Sequence, residues 1–129
     1  MSVFYCDDDL DDIELFKMAI RRIDPLIHVI ATTDCEDGLT ALFKSEQLPQ
    51  MIFFDILMPK MDGIEAVIAV KRNKKFNSVP IIMLSNGLSK AQIEQFNALG
   101  VFQFISKTNY IGLEQSLRGV LSLRANNQS

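Results

Sequence analysis

The chain has 129 residues, enough for one domain around one hydrophobic core. Its 13 Lys and Arg against 16 Asp and Glu leave a net charge of −3, which draws it globally to neither nucleic acid nor an acidic membrane. No apolar run is long enough to span a bilayer, no basic-then-apolar stretch opens the chain as a signal peptide would, and Cys6 and Cys35 lack metal-type spacing. Cys6 falls in an apolar run and reads as a free core thiol, which suits a reducing cytoplasm.

Strand and helix patterns then alternate to the end of the chain. Val3 to Cys6 reads as a first strand. Leu10 to Ile23 carries Ile13, Phe16, Ile20 and Ile23 at helical spacing and stops at Asp24-Pro25. Ile27 to Thr32 is β-branched and reads as a second strand. Glu36 to Ser45 is a shorter helix with Leu39, Leu42 and Phe43 inward. Met51 to Phe54 is a third strand, cut off by the Pro and Gly that follow. Gly63 to Arg72 is a third helix, with Ile64, Val67, Ile68 and Val70 apolar. Asn73 to Ser78 is expected to be a basic polar loop, and Pro80 to Leu84 a fourth strand. In the fourth helix, Ser89 to Leu99, Ser89 is a natural N-cap and Gly100 a natural terminator. Val101 to Ile105 is a fifth strand. Asn109 to about Leu123 is a fifth helix, and residues 125–129 are expected to form a disordered polar tail. Five such units predict a doubly wound α/β domain over residues 1–129, a parallel sheet covered by helices on both faces.

A parallel sheet gathers the C-terminal ends of its strands on one edge, where open α/β sheets place their chemistry. That edge should hold Asp7 and Asp8 after the first strand and Asp55 after the third. Ser85 should follow the fourth strand and Lys107 the fifth. Clustered carboxylates repel one another and call for a cation, and oxygen ligands favour Mg²⁺. Asp55 could then act as a nucleophile toward phosphorus, with the metal, an ammonium and a hydroxyl around the phosphoryl oxygens.

Each residue alone has a plainer reading. A strand-end Asp is commonly a turn former, Ser85-Asn86-Gly87 a loop and a lone Lys a solvated surface group. Asp9, Asp11 and Asp12 read as first-turn acids favoured by the helix dipole. Their convergence on one edge carries the site reading. A calcium loop opening at Asp7 would need Gly at Asp12 and Glu at Met18. No Gly-rich phosphate loop follows any strand, and the single histidine, His28, has no Ser or Cys partner.

These residues resemble the receiver domain of two-component response regulators over essentially the whole chain. The match rests on Phe4-Tyr5-Cys6-Asp7-Asp8-Asp9, Asp37-Gly38 with Ala41-Leu42, and Phe53 to Gly63 around Asp55. It is completed by Ile81-Ile82-Met83-Leu84-Ser85 and Phe104-Ile105-Ser106-Lys107. The resemblance implies a flavodoxin-like strand order 2-1-3-4-5. It implies that Asp55 accepts a phosphoryl group from a histidine kinase or a histidine phosphotransfer protein. It further implies Mg²⁺ on Asp8, Asp55 and the Leu57 backbone carbonyl, with Asp7 acting through water. Ser85 and Lys107 would contact the phosphoryl group, and Phe104 would be the switch aromatic. The output surface would be the fourth helix, fifth strand and fifth helix.

The chain departs from that pattern at Thr108, where the family usually has a cis proline; a trans Lys107-Thr108 bond is expected here. Asn86 is larger than the usual residue and is expected to narrow access. Leu57 and Gly87, at positions that tune phosphoryl lifetime, bring no polar side chain. Phe104 lacks a hydroxyl. The resulting expectation is a cytoplasmic, stand-alone response regulator, monomeric or weakly dimeric, that turns over no external substrate and contacts neither nucleic acid nor membrane directly. With no output domain attached, it would bind an unknown downstream protein or relay phosphate. The competing expectation is a degenerate receiver that acts as a phosphorylation-independent interaction module, and a small metal-dependent phosphatase is a third reading of the same acids.

Overall fold

The computed structural model describes residues 1–56, 61–107 and 109–128, with side chains described through Leu123. Five parallel strands, β1 (Ser2–Cys6), β2 (His28–Thr32), β3 (Met51–Asp55), β4 (Ile81–Ser85) and β5 (Gln103–Ser106), form one sheet in the order β2-β1-β3-β4-β5. The helices are α1 (Leu10–Ile23), α2 (Cys35–Lys44), α3 (Gly63–Arg72), α4 (Lys90–Ala98) and α5 (Tyr110–Gln128). The doubly wound α/β expectation and its strand order therefore hold.

Strand alternation sorts the core into two layers. Phe4, Cys6, Ile52, Phe54, Ile81 and Met83 face one side, where Leu39 and Leu42 of α2, Val67 and Val70 of α3 and Phe96 of α4 cover them. Val3, Tyr5, Met51, Phe53, Ile82, Leu84 and Ile105 face the other side, against Phe16 and Ile20 of α1 and Leu117 and Val120 of α5. β1, β3 and β4 are buried on both faces, as parallel strands between two helical layers should be. Cys6 and Cys35 are buried free thiols in the first layer. His28 is exposed on the edge strand.

Local signals set the helix ends. Asp9, Asp34 and Asp62 cap α1, α2 and α3 by accepting from first-turn amides. Ser89 caps α4 in a reciprocal pair with Gln92. Gly100 follows α4 with φ +88, the left-handed geometry that glycine adopts without Cβ strain.

Two expectations are corrected. The basic stretch after α3 is not wholly a solvated loop: Lys74–Phe76 is a short 3-10 turn whose Phe76 is fully buried against Phe43. One aromatic anchors a segment that otherwise reads as polar. α5 continues through Gln128 in place of the irregular tail expected from residue 125. Nothing in Arg124-Ala125-Asn126-Asn127-Gln128 breaks a helix, and Ala, Arg and Gln favour one. The expected geometry of the Lys107-Thr108 bond and the Leu57 carbonyl lie outside the described residues. Among the described residues no helix is long and apolar enough to cross a membrane.

Candidate functional site

The C-terminal ends of β1, β3 and β4 open on a cleft of about 480 Å³. Asp7, Asp8, Asp55, Ser85 and Lys107 all line it, as expected from the sequence, together with Asp12 of α1, Asn86 and Gln92. Alternation explains the aim of each side chain. Tyr5 and Phe53 face α1 and α5, so Asp7 and Asp55, two residues on, point to the same side. Met83 faces the opposite layer, and Ser85 continues that direction.

The Lys107 ammonium is the centre of the site. Its Nζ lies 2.8 Å from Asp12 Oδ2, 2.9 Å from Asp7 Oδ2 and 3.2 Å from Asp55 Oδ1. The Lys107 backbone amide donates to the Ser85 carbonyl at 2.9 Å, which fixes the start of its side chain at the sheet edge. Asp7 is held from two further sides. The Tyr5 hydroxyl donates to Oδ2 and the Asp9 amide to Oδ1 at 3.0 Å. Ser85 Oγ accepts from the Gly87 amide at 2.8 Å.

The charge balance is strained toward the negative. Burial, then the Asp7 charge, push the Asp55 carboxyl up to about 6 from the ordinary 3.8; Asp8 adds to the push and Lys107 opposes it. Burial works against the Lys107 charge, yet the hydrogen bonds to Asp12 and Asp7 and the charge of Asp55 raise it above the usual lysine range. Burial and the bond to Asp7 drive the Tyr5 hydroxyl well above a normal phenol, so it remains a donor. Asp7, Asp8 and Asp55 each offer an oxygen, and these atoms lie within 4.8 Å of one another. An all-oxygen set of this kind, with one carboxyl already pushed up by burial and by the acids beside it, suits a hard divalent cation.

Two residues of the site were missed in the sequence. Asp12, read as a bland first-turn acid, instead makes the shortest of the Lys107 ion pairs. Its place was legible: it stands four residues before Phe16 and eight before Ile20, on the buried stripe of α1. Tyr5 stands out in the sequence only as part of the first apolar run, although spacing of two along a strand aligns it with Asp7. Phe104 is not at the cleft. It is half-buried and packs edge-on against Phe96 of α4, ring centroids 6.1 Å apart. Asn86 is exposed at the cleft, and a Cβ on Gly87 would meet nothing within 4 Å.

The model of the response regulator receiver domain matches residues 3–116. The chain is 36% identical over 72 residues to protein PilG of Pseudomonas aeruginosa, covering 55% of this chain and 53% of that one. It is 30% identical over 100 residues to the sensor histidine kinase CheAY of Helicobacter pylori, covering 76% of this chain and 12% of that one. These curated relatives are longer than the chain, which spans at most about half of either. Its fold superimposes on the chemotaxis response regulator CheY4 of Vibrio cholerae with a TM-score of 0.79 at 25% identity, covering 92% of this chain and 97% of that one. An acidic cleft at the strand ends, a lysine bound into it and a match along most of the sequence together place the chain in the response regulator receiver domain family.

Proposed function

We propose that this receiver domain is switched by phosphorylation of Asp55 in a two-component relay. The observation that carries the reading is the approach of Lys107 Nζ to Asp55 Oδ1 at 3.2 Å, beside two further acids whose oxygens can share a cation. The donor would be a phosphohistidine of a sensor kinase or phosphotransfer protein, and a kinase among the relatives supports that class.

An Asp55 oxygen attacks phosphorus in line with the departing imidazole nitrogen. The O–P bond forms as the N–P bond breaks, and the imidazole leaves with a proton. Asp8, Asp55 and the Leu57 carbonyl would hold Mg²⁺, with Asp7 acting through water; bound there, the ion would neutralise charge on the phosphoryl oxygens. Lys107 turns the N–H now given to Asp55 toward a phosphoryl oxygen. Ser85 leaves the Gly87 amide and donates its hydroxyl to another. That motion loosens the turn leading to α4, and Phe104, packed on Phe96, answers by burial because it has no hydroxyl. The surface of α4, β5 and α5 thereby changes for a downstream protein in the cytoplasm. The domain assists only its own phosphorylation and dephosphorylation.

Intact mass after incubation with Mg²⁺ and acetyl phosphate tests this. One phosphoryl group should appear on the wild type and none on Asp55→Asn. No gain, with Mg²⁺ binding undetectable, would favour a phosphorylation-independent interaction module. Multiple turnover of a small phosphate ester would favour a phosphatase.

A further inference from the structure

An ammonium has three N–H donors, and among the described residues Lys107 Nζ lies within 3.2 Å of three carboxylate oxygens, on Asp12, Asp7 and Asp55. Asp55 is the acceptor that phosphorylation alters. The other two remain, and they hold the ammonium from two different elements, β1 and α1. Asp7 sits just past the end of β1, with no side-chain exposure, tied by Tyr5. Asp12 sits on the first turn of α1 and is about one third exposed.

Asp12 and Lys107 also line a second cavity of about 170 Å³, shared with Leu15, Leu84 and Leu113 and with Tyr5, Asn109 and Tyr110. The ion pair thus borders both this space and the cleft. Without Asp12 the four-carbon stem of Lys107 has room to swing out of line with Asp55, and two acceptors for three donors leave its tip unfixed.

From this geometry we infer that Asp12 is a positioning residue of the phosphorylation centre: together with Asp7 it occupies two Lys107 donors and so aims the third at the phosphoryl oxygen on Asp55. The inference rests on the phosphoacceptor reading above. It also opposes what bulk charge predicts, because deleting an acid should favour an incoming anion, whereas here it should weaken anion binding.

Beryllofluoride, which takes the place of a phosphoryl group on a carboxylate, is the probe. Tyrosine fluorescence reports its binding, since the chain has no Trp and the Tyr5 hydroxyl is bonded to Asp7. At saturating Mg²⁺, Asp12→Ala should weaken beryllofluoride about tenfold, the scale of one charge-assisted hydrogen bond. Mg²⁺ affinity without the anion should stay within about twofold of wild type, because Asp12 is outside the three-acid group. Asp12→Glu should recover most of the loss. Asp11→Ala, an exposed neighbour, should bind as wild type does. Asp12→Asn keeps an acceptor oxygen without the charge; it should fall between wild type and alanine, and it serves if the alanine variant does not fold. Equal or tighter beryllofluoride binding by Asp12→Ala, or by Asp12→Asn in its place, overturns the inference and leaves the phosphoacceptor reading standing. A matching loss of Mg²⁺ affinity overturns it as well. Failure of the wild type to bind beryllofluoride removes both.

Discussion

Lys107→Met should cost the metal-free fold about 3 kcal/mol at pH 7, the scale of breaking a buried ion pair and leaving its partners uncompensated. The Lys107 side chain is only about one tenth exposed and serves Asp7, Asp12 and Asp55 at once. Methionine keeps the stem and removes the charge, so Asp7 and Asp55 would face each other across a buried gap with no cation. Lys107 is held above the usual lysine range, so its contribution is complete below the unfolded lysine value and is lost only as pH rises through the higher folded one. It is fully present at neutral pH. The deficit should shrink on acidification below pH 6, as Asp55 takes up a proton. Urea melts of wild type and Lys107→Met in EDTA, at pH 5 and pH 7, measure both effects. Coincident midpoints at pH 7 would mean the lysine is not neutralising the cluster.

The opposite sign is expected at Asp55. Its carboxyl titrates near 6 in the fold against 3.8 ordinarily, so the folded state holds that proton more tightly than the unfolded chain. Ionised Asp55 therefore works against folding. The loss builds as pH rises from about 4 and is complete just above 6. A shift of that size corresponds to as much as about 3 kcal/mol. Asp55→Asn removes the ionisation and should be the more stable protein in EDTA by about 1–3 kcal/mol above pH 6, with the two curves converging below pH 4. The divalent ion should narrow the gap, because it stabilises the wild-type cluster more than the variant. Denaturant midpoints across that pH range decide it. A less stable Asp55→Asn at pH 7 would count against crowding.

The fold was legible because its signals are local and repeated. The apolar stripe Ile13, Phe16, Ile20, ended by Asp24-Pro25, gave the limits of α1 to the residue. The short runs at β1, β3 and β4 are continuous because both faces are covered. Strand order was not legible in the same way. Periodicity fixes what a segment is and not what it pairs with, and the order came only with the family resemblance. Phe76 was missed because one buried ring among lysines has no periodicity to announce it. The end of α5 was missed because polar composition alone does not stop a helix.

The site divided along similar lines. Asp7, Asp55 and Lys107 follow from strand ends meeting on one edge, which topology dictates. Asp12 comes from a helix, and its role depends on how α1 lies against that edge. The same alternation that joins Asp7, Asp55 and Lys107 on the α1 side turns Ser85 toward the other, so the hydroxyl and the ammonium approach the cleft from different layers.

In the proposed site, acids far apart in sequence share a divalent cation. The most direct test is a Mg²⁺ titration of stability in wild type and Asp8→Asn, since Asp8 is exposed and its substitution leaves the core untouched. The wild-type midpoint should keep climbing with the logarithm of Mg²⁺ concentration once past the dissociation constant, gaining about 2.7 kcal/mol at a hundredfold excess over it. Asp8→Asn should show little of that rise. A wild type indifferent to Mg²⁺, or an Asp8→Asn variant that responds as fully as the wild type, would contradict the shared site.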